Sequence, residues 1–313
     1  MIALADALPG LRRIDLTVNY RCPRPVVDRA VRLVVNNAER FTKTIRAGPT
    51  AEGRLILAAD GSDETVRMRH VYESWPDDGR TRAILARTNA ELLPAAVVAL
   101  EMGSPFRARR LRFQSEDPRV DAILTAAAAA ASPAGDAPLP RLAALAVAGV
   151  ETLCLPVAPF ARHREATADA DRRDADELLP VGTADLLAAL VGWAAPYRTL
   201  ADLADALAQH RARVAELRRD DAILTLATAH STKGLEFDHV AVIGLDSGRF
   251  PSARSIGEAP DPTRALEEER RLAYVAWTRA RRSLTLVFDP ASPSPFLLEA
   301  FSEAELGLVG DRR

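Results

Sequence analysis

Short apolar runs alternate with amphipathic stretches over the first third of the chain. Residues 13–19 alternate as a strand does, and Pro23 and Pro25 then suit the first turn of a helix. The apolar positions of that helix recur about every 3.6 residues; they are Val26, Val27, Ala30, Val31, Val34 and Val35. A buried strand at 54–59, a helix at 62–73, a strand at 82–86 and a helix that Asn89 caps and Gly103 ends continue the pattern. Strands that alternate with helices predict an α/β fold with a parallel sheet.

The middle of the chain, residues 108–220, is rich in alanine and leucine and holds little that resembles a strand. Helices are predicted at 118–131, 140–148, 184–191 and 200–218, the last with Leu203, Leu207 and Val214 on one side. Residues 132–138 and 165–177 have the composition of exposed loops. We interpret 108–220 as an inserted, mainly helical domain.

The alternating pattern returns after residue 220. Strands are predicted at 222–227, 239–245 and 283–288, with a helix at 267–279. The predicted organisation is therefore one discontinuous domain of residues 1–107 and 221–290, the insertion, and a tail of residues 291–313 that holds a short helix.

Composition and charge narrow the class of protein. A hydrophobic share of 48% and a charged share of 27% are those of an ordinary globular chain and exclude a disordered or fibrous one. With 41 basic and 43 acidic residues the net charge is -2, so binding of nucleic acid by bulk charge is not expected and any DNA contact must be local.

Targeting and metal-binding patterns are weak in this sequence. The longest uncharged apolar run, 122–131, is shorter than the roughly 20 residues of a membrane span, and the N-terminus lacks the basic residues of a signal peptide. We therefore expect a cytoplasmic protein without a membrane partner. Cys22 and Cys154 lie far apart with no CxxC spacing, so neither a disulfide nor a metal site is predicted.

Lysine is rare: only Lys43 and Lys233 among the 41 basic residues are lysine, and the others are arginine. Lys233 is either a chance retention or a position that needs lysine's own geometry.

Four segments, in sequence order, resemble motifs of one enzyme family. They are Asn19-Tyr20-Arg21, residues 83–90 (AILARTNA), residues 228–237 (TAHSTKGLEF) and residues 267–280 (EEERRLAYVAWTRA). The first, third and fourth resemble motifs IV, V and VI in the C-terminal motor half of the UvrD, Rep and PcrA group of superfamily 1 DNA helicases. The resemblance covers 11–107 and 221–288, is weak across the insertion, and implies a RecA-like parallel-sheet motor domain with an inserted accessory domain.

Two arginines are the candidate catalytic residues. Phosphoryl transfer is catalysed mainly by positioning and by neutralising charge on the transferred group, which favours arginine. The resemblance implies that Arg21 and Arg279 reach the γ-phosphate of ATP across a cleft between two motor domains. The alternative is that both are ordinary surface arginines. Arg270 and Arg271 are expected to form structural ion pairs with neighbouring glutamates.

The resemblance also assigns nucleotide and DNA contacts. Tyr20 is expected to stack on adenine, unless it is a core tyrosine at the end of a strand. Gly234 and Glu236 resemble the segment that binds the ribose hydroxyls. Thr228, His230 and Ser231 are the candidate contacts with single-stranded DNA. Lys233 and Asn89 are given structural roles within their motifs, Lys233 in a crowded loop that a planar guanidinium would not fit.

The chain has no G-x-x-x-x-G-K-S/T phosphate loop and no strand that ends in paired acidic residues for Mg²⁺. The resemblance places both in an N-terminal motor domain, which would precede Met1. We therefore expect ATP with Mg²⁺ as the cofactor, the metal held by that missing half or by a partner chain with the phosphate loop, and no ATPase activity from this chain alone.

The leading prediction is the C-terminal half of an ATP-dependent 3'-5' DNA helicase or translocase that acts on single-stranded DNA or a 3'-tailed duplex. Two alternatives stay open: a non-catalytic DNA- or protein-binding module derived from a helicase, and a truncated product. Cys22 and Pro23 also depart from the Ser/Thr-type residues common after the motif IV arginine, which affects that turn and the reach of Arg21.

Overall fold

The computed structural model describes residues 16–40, 44–49, 52–130, 135–148 and 182–308. The chain divides into two compact units. The first takes in Met1–Met102, Phe106–Arg109 and Asp220–Arg313, and the second takes in Gly103–Pro105 and Arg110–Arg219.

Parallel strands form the centre of the first unit. In the described residues, β1 (Val18–Asn19) and β2 (Arg46–Ala47) form a small parallel sheet of their own. The main sheet contains β3 (Arg54–Ala59), β4 (Arg82–Ala86), β5 (Phe106–Arg107), β6 (Leu224–Thr228), β7 (Phe237–Val242) and β8 (Ala280–Phe288). Its order is β3-β8-β7-β4-β6-β5, and every pairing is parallel. The predicted α/β fold with a parallel sheet is confirmed.

The described helices, in chain order, are α1 (Arg24–Val34), α2 (Glu64–Ser74), α3 (Leu93–Glu101), α4 (Arg119–Ala129), α5 (Pro138–Ala148), α6 (Thr183–Ala194), α7 (Leu200–Leu217), α8 (Ala253–Gly257), α9 (Pro262–Trp277) and α10 (Pro295–Ala300). Helix α9 begins five residues before the predicted start. Asp261 caps it by accepting from the backbone N–H of Arg264 at 3.1 Å, and Pro262 occupies its first turn.

Two expectations of burial were wrong. Strand β3 is half-buried rather than buried, because it lies at the edge of the sheet and, among the described strands, pairs with β8 alone. On α1 the buried face is Val26, Val27, Ala30 and Leu33, whereas Val35 lies beyond the last helical residue and is 44% exposed.

The second unit is helical in its described part. Leu203, Leu207 and Val214 are buried as the pattern predicted, and the core also holds Ile123 and Leu142. Thr199 and Asp202 cap α7 reciprocally: each side chain accepts from the backbone N–H of the other, at 3.1 and 3.0 Å. The predicted loop at 165–177, residues 132–134 of the other loop, and Cys154 lie outside the described residues, and Pro138 begins α5.

The C-terminal segment is part of the core of the first unit. Phe296, Leu297, Phe301 and Leu306 are buried in one apolar cluster with Trp277. The rings of Trp277 and Phe301 lie 6.2 Å apart between centroids. The predicted short helix in this segment is α10, and its apolar face stabilises the sheet domain.

The turn after α10 is held by a carboxylate. Glu305 accepts from the backbone N–H of Ser302 at 2.9 Å and forms an ion pair with Arg29 of α1. The Ser302 backbone and then Arg29 lower the pKa of Glu305 from 4.5 to about 2.

This lowered pKa predicts a pH-dependent contribution to stability. Because the pKa is lower in the folded than in the unfolded state, the contribution is full above 4.5 and is lost as the pH falls toward 2. We expect Glu305→Gln to lower Tm by about 1–2 °C at neutral pH. The difference from wild type should vanish in acid, as followed by circular dichroism. Glu303→Gln, at an exposed carboxylate in the same turn, is the control, and an equal loss there would contradict the assignment.

In the part of the chain that the structure describes, no helix is long and apolar enough to cross a membrane.

Candidate functional site

An open cleft of about 990 Å³ lies in the first unit, where β1 ends and β7 and β8 begin. Its lining includes Tyr20, Arg21, Glu236, Tyr274, Arg281 and Arg282. Three residues of the predicted nucleotide site therefore line one cleft, although Glu236 is 215 residues from Arg21 in the sequence.

A tight turn after β1 presents Tyr20 and Arg21. The Asn19 side-chain oxygen accepts from the backbone N–H groups of Arg21 and Cys22, at 2.9 and 3.0 Å. The Cys22 side chain is 1% exposed, and its thiol donates to the Thr278 carbonyl at 3.3 Å. Burial raises the pKa of Cys22 to about 11, so its thiol is protonated. The buried Cys22 side chain holds the turn that presents Arg21 against the core.

Tyr20 is not a core tyrosine. It is 77% exposed, in contrast to the core alternative considered for a tyrosine at the end of a strand. A Cβ added to Gly48 would lie 2.9 Å from Tyr20 Cδ1, so the ring rests against the bare backbone of that glycine. Stacking on adenine stays a prediction, but the ring is accessible for it.

Glu236 joins two arginines at the cleft. Arg21 donates through Nε to Glu236 Oε2, and Arg281 donates through Nη2 to Glu236 Oε1. The hydrogen bond from Arg281 lowers the pKa of Glu236 most, burial opposes the shift, and Arg21 adds to it. The carboxylate is therefore ionised, with one guanidinium on each oxygen.

Arg279 lies just before β8 and is only 8% exposed. Its Nε donates to the Val275 carbonyl and its Nη1 to the Leu235 carbonyl, both at 2.8 Å. Burial and then the nearby positive charge of Arg21 lower the pKa of Arg279. The structure thus brings Arg21 and Arg279 within electrostatic range of each other at the amino ends of β7 and β8.

The loop around Lys233 is open. Lys233 is exposed, and a Cβ on Gly234 would meet no atom within 4 Å, so the expectation of a crowded loop was wrong. Gly234 has φ +84°, in the left-handed region that favours glycine. This backbone turn is a local reason for glycine at that position.

The candidate DNA contacts lie at the opposite edge of the sheet, where β6 ends. Thr228 is 2% exposed and its hydroxyl donates to Ser231 Oγ at 3.2 Å, while Ser231 Oγ donates to the Thr228 carbonyl at 2.9 Å. Ser231 is exposed and His230 is half-buried. Of the three, Ser231 and His230 are accessible to a ligand, and Thr228 positions Ser231.

Asn89 does not cap the helix that follows it, so that expectation was wrong. It is 3% exposed, and its side-chain nitrogen has no hydrogen-bond partner among the described residues. Glu91 accepts instead from the backbone N–H groups of Arg87 and Thr88, both at 3.0 Å. The Thr88-x-x-Glu91 spacing is a capping-box signal, and the Thr88 hydroxyl accepts in return from the backbone N–H of Glu91 at 3.4 Å.

Arg270 is structural, but its partner is not a neighbouring glutamate. Its Nε and Nη2 donate to the two oxygens of Glu299 on α10, each at 2.8 Å, and its Nη1 donates to Asn37 at 3.3 Å. Arg271 does pair within its helix, with Glu267 at 2.9 Å. Arg281, two residues after Arg279, carries no sequence signal that assigns it to the site.

In the described residues, no group of three or more His, Cys, Asp or Glu side chains could hold a metal ion.

Comparison with known proteins supports the resemblance. Residues 193–289 match the model of the UvrD-like helicase C-terminal domain. The chain is 52% identical over 63 residues to DNA helicase II of Escherichia coli K12, covering 20% of this chain and 8% of that protein. It is 51% identical over 63 residues to the ATP-dependent DNA helicase PcrA of Bacillus subtilis, with the same coverage.

A solved structure, the C-terminal domain of a possible DNA helicase from Lactobacillus plantarum, aligns with 91% of this chain and 95% of its own. Its TM-score is 0.37 and its identity is 13%, so no detail is transferred from it. The helicase resemblance is confirmed over the matched segment. Residues 19–21 and 83–90 lie outside 193–289, and their motif assignments stay predictions.

Proposed function

We propose, from the UvrD-like helicase C-terminal domain that residues 193–289 carry, that this chain supplies the second half of an ATP-driven motor on single-stranded DNA. The matched segments span only 8% of the E. coli and B. subtilis helicases, so activity, substrate and partner are all part of the proposal.

The observation that carries the proposal is that Arg21 and Glu236 are paired at one open cleft, with the buried Arg279 within electrostatic range of Arg21. The Arg21 guanidinium at an open cleft suits a polyphosphate that enters from outside this domain, because arginine pairs with phosphate oxygens through several N–H groups. In the proposed motor, Arg21 and Arg279 neutralise charge on the γ-phosphate, Tyr20 stacks on adenine, and Glu236 and Gly234 face the ribose.

Residues 229–236 connect the proposed DNA contacts to the proposed nucleotide site. This segment leaves β6 at the carboxyl edge, beside His230 and Ser231, and enters β7 at the amino edge, beside Glu236. Movement of Glu236 and Arg279 on the nucleotide would therefore shift the backbone that carries the DNA contacts. We propose that closure of the cleft moves His230 and Ser231 along a single strand or a 3'-tailed duplex in the 3'-5' direction.

The proposed nucleotide is ATP with Mg²⁺. The residues of the cleft fit the phosphates, base and sugar, whereas the sequence has no phosphate loop. A second chain or segment with that loop would hold the Mg²⁺ and the β- and γ-phosphates, and this chain would supply the arginines.

Stoichiometric mixing with a candidate phosphate-loop chain tests the proposed function. We expect background ATP turnover from either chain alone, and turnover stimulated by oligodeoxythymidylate from the mixture. Turnover well above background from this chain alone would contradict the predicted need for a partner. DNA binding without any turnover in the mixture would favour the non-catalytic module instead.

A further inference from the structure

Glu236 is shared between two arginines that start from different parts of the sheet domain. Each carboxylate oxygen accepts from one guanidinium, Oε2 from Arg21 and Oε1 from Arg281. The side chains are 30% exposed for Glu236, 39% for Arg21 and 50% for Arg281. All three are therefore free to exchange partners with a ligand in the cleft.

Arg281 lies within a strand, at an irregularity in its pairing with β7, whereas Arg21 extends from a turn. Arg281 is the second residue of β8, next to Ala280, which pairs with Phe237 at the start of β7. Glu236 directly precedes Phe237, so the two strand starts hold Arg281 and Glu236 side by side. Arg21 follows β1, which belongs to the other sheet.

A phosphate that enters the cleft must compete with Glu236 for Arg21. If Arg21 were the only partner of Glu236, its departure would leave the carboxylate without a counter-charge, and this cost would oppose phosphate binding. Arg281 removes much of that cost, because it remains on Oε1 while Oε2 is vacated. The vacated oxygen then faces the cleft as a free hydrogen-bond acceptor.

We propose that Arg281 is a positioning residue of this half-site: it holds Glu236 through Oε1, so that Arg21 can exchange Oε2 for a phosphate oxygen. The inference rests on the proposed function, since the phosphate is that of the nucleotide. It adds a residue to the site that none of the helicase motifs discussed above assigns.

Inorganic tripolyphosphate is the probe, because it contains the phosphates without base or sugar. The full chain, labelled with ¹⁵N, is titrated at about 0.15 M salt, where charges more than about 8 Å apart are largely screened. The Nε–Hε peak of Arg21, assigned by its loss in Arg21→Lys, reports exchange at that side chain. We expect Arg281→Gln to weaken binding about three- to fivefold, the range for half-exposed ion pairs. Arg281→Lys, which keeps a cation beside Glu236, should restore most of the affinity.

Two further variants separate positioning from a general charge effect. Glu236→Gln removes the competitor and should strengthen binding about three- to fivefold. In that background Arg281→Gln should have less than about a twofold effect, because there is no carboxylate left to hold. Arg282→Gln is the matched control: it removes the same charge from the same cleft, but Arg282 pairs with Asp238 at 3.5 Å. The affinity of Arg282→Gln for tripolyphosphate should therefore stay within about twofold of the wild-type value.

An equal loss from Arg281→Gln in the wild-type and Glu236→Gln backgrounds would overturn the positioning role and leave the nucleotide half-site intact. If Arg282→Gln lowered the affinity for tripolyphosphate as much as Arg281→Gln does, the positioning role would also be overturned and the nucleotide half-site would stand. Absence of tripolyphosphate binding to both the wild type and Glu236→Gln would overturn the half-site itself, and with it the positioning role. Thermal unfolding of each variant verifies the fold, and the exposure of Arg281 predicts no large change.

Discussion

Arg279→Ala is expected to lower DNA-stimulated ATP turnover by about 10³-fold or more when the chain is mixed with its phosphate-loop partner. The physical reason is that a guanidinium at the transferring phosphate stabilises charge that develops in the transition state. Most of the loss should therefore be in kcat rather than in KM. Steady-state turnover against ATP concentration, at saturating DNA, measures both.

The environment of Arg279 explains why this substitution needs a structural control. Its guanidinium also donates to the carbonyls of Val275, Leu235 and Thr232, so alanine removes three hydrogen bonds as well as the charge. Arg279→Lys retains a cation but not the fork of donors, and we expect it to recover little of the turnover. Arg69→Ala, at a partly exposed arginine of α2 that pairs with Glu101 and does not line the cleft, should leave turnover within about twofold of wild type.

Equal turnover by wild type and Arg279→Ala would remove Arg279 from the mechanism. A fall in turnover that is matched by loss of the folded state would instead assign it a structural role. Native far-ultraviolet circular dichroism at the assay temperature distinguishes the second result from the expected one.

Glu269→Ala is expected to destabilise the sheet domain by about 3–5 kcal/mol. Arg87, at the carboxyl end of β4, donates through Nε to both oxygens of Glu269 on α9, at 2.9 and 3.0 Å. The two side chains are 6% and 7% exposed. Glu269 also accepts from the backbone N–H of Ser252 at 3.0 Å. Alanine therefore removes the carboxylate that accepts from this buried guanidinium, and equilibrium unfolding in urea measures the loss in free energy of unfolding.

Replacement of both partners tests the cause of that loss. Arg87→Met with Glu269→Leu removes both charges and should recover a large part of the free energy of unfolding. Arg254→Ala breaks the exposed pair with Glu258, whose side chains are 49% and 67% exposed, and should cost about 0.5 kcal/mol or less. If Glu269→Ala cost no more than Arg254→Ala, the buried pair would not hold α9 to the sheet.

Strands and helices could be predicted from sequence where the local pattern decides the structure. β3 and β4 lie at the predicted residues, and α7 differs from its predicted range by one residue at its end. β8 begins three residues before the prediction, because Arg281 and Arg282 interrupt the apolar pattern at the exposed start of the strand. The half-burial of β3 could not be predicted, since being at an edge depends on the order of all six described strands of the main sheet.

Some residues of the candidate site could likewise be predicted from the sequence, and others could not. Motifs predicted Arg21, Glu236 and Arg279 as residues of one site; Arg21 and Glu236 line one cleft, whereas Arg279 is buried beside it and donates to backbone carbonyls. The pairing of Arg281 with Glu236 and of Arg270 with Glu299 left no sequence signal, because each joins residues far apart in the chain. Asn89 had the residue type of a cap, yet Thr88 takes that role: its hydroxyl accepts from the backbone N–H of Glu91, and Glu91 accepts in return from the backbone N–H of Thr88.

For this protein, the sequence alone determined the periodicity of its elements, its parallel α/β class and the residue types that suit a nucleotide half-site, because these depend on neighbours within a few turns of chain. Only the tertiary structure decided which charges meet, which strand lies at the edge and which side chains remain exposed. Those outcomes depend on strand order and register, which bring Arg21, Glu236 and Arg281 into contact across most of the chain.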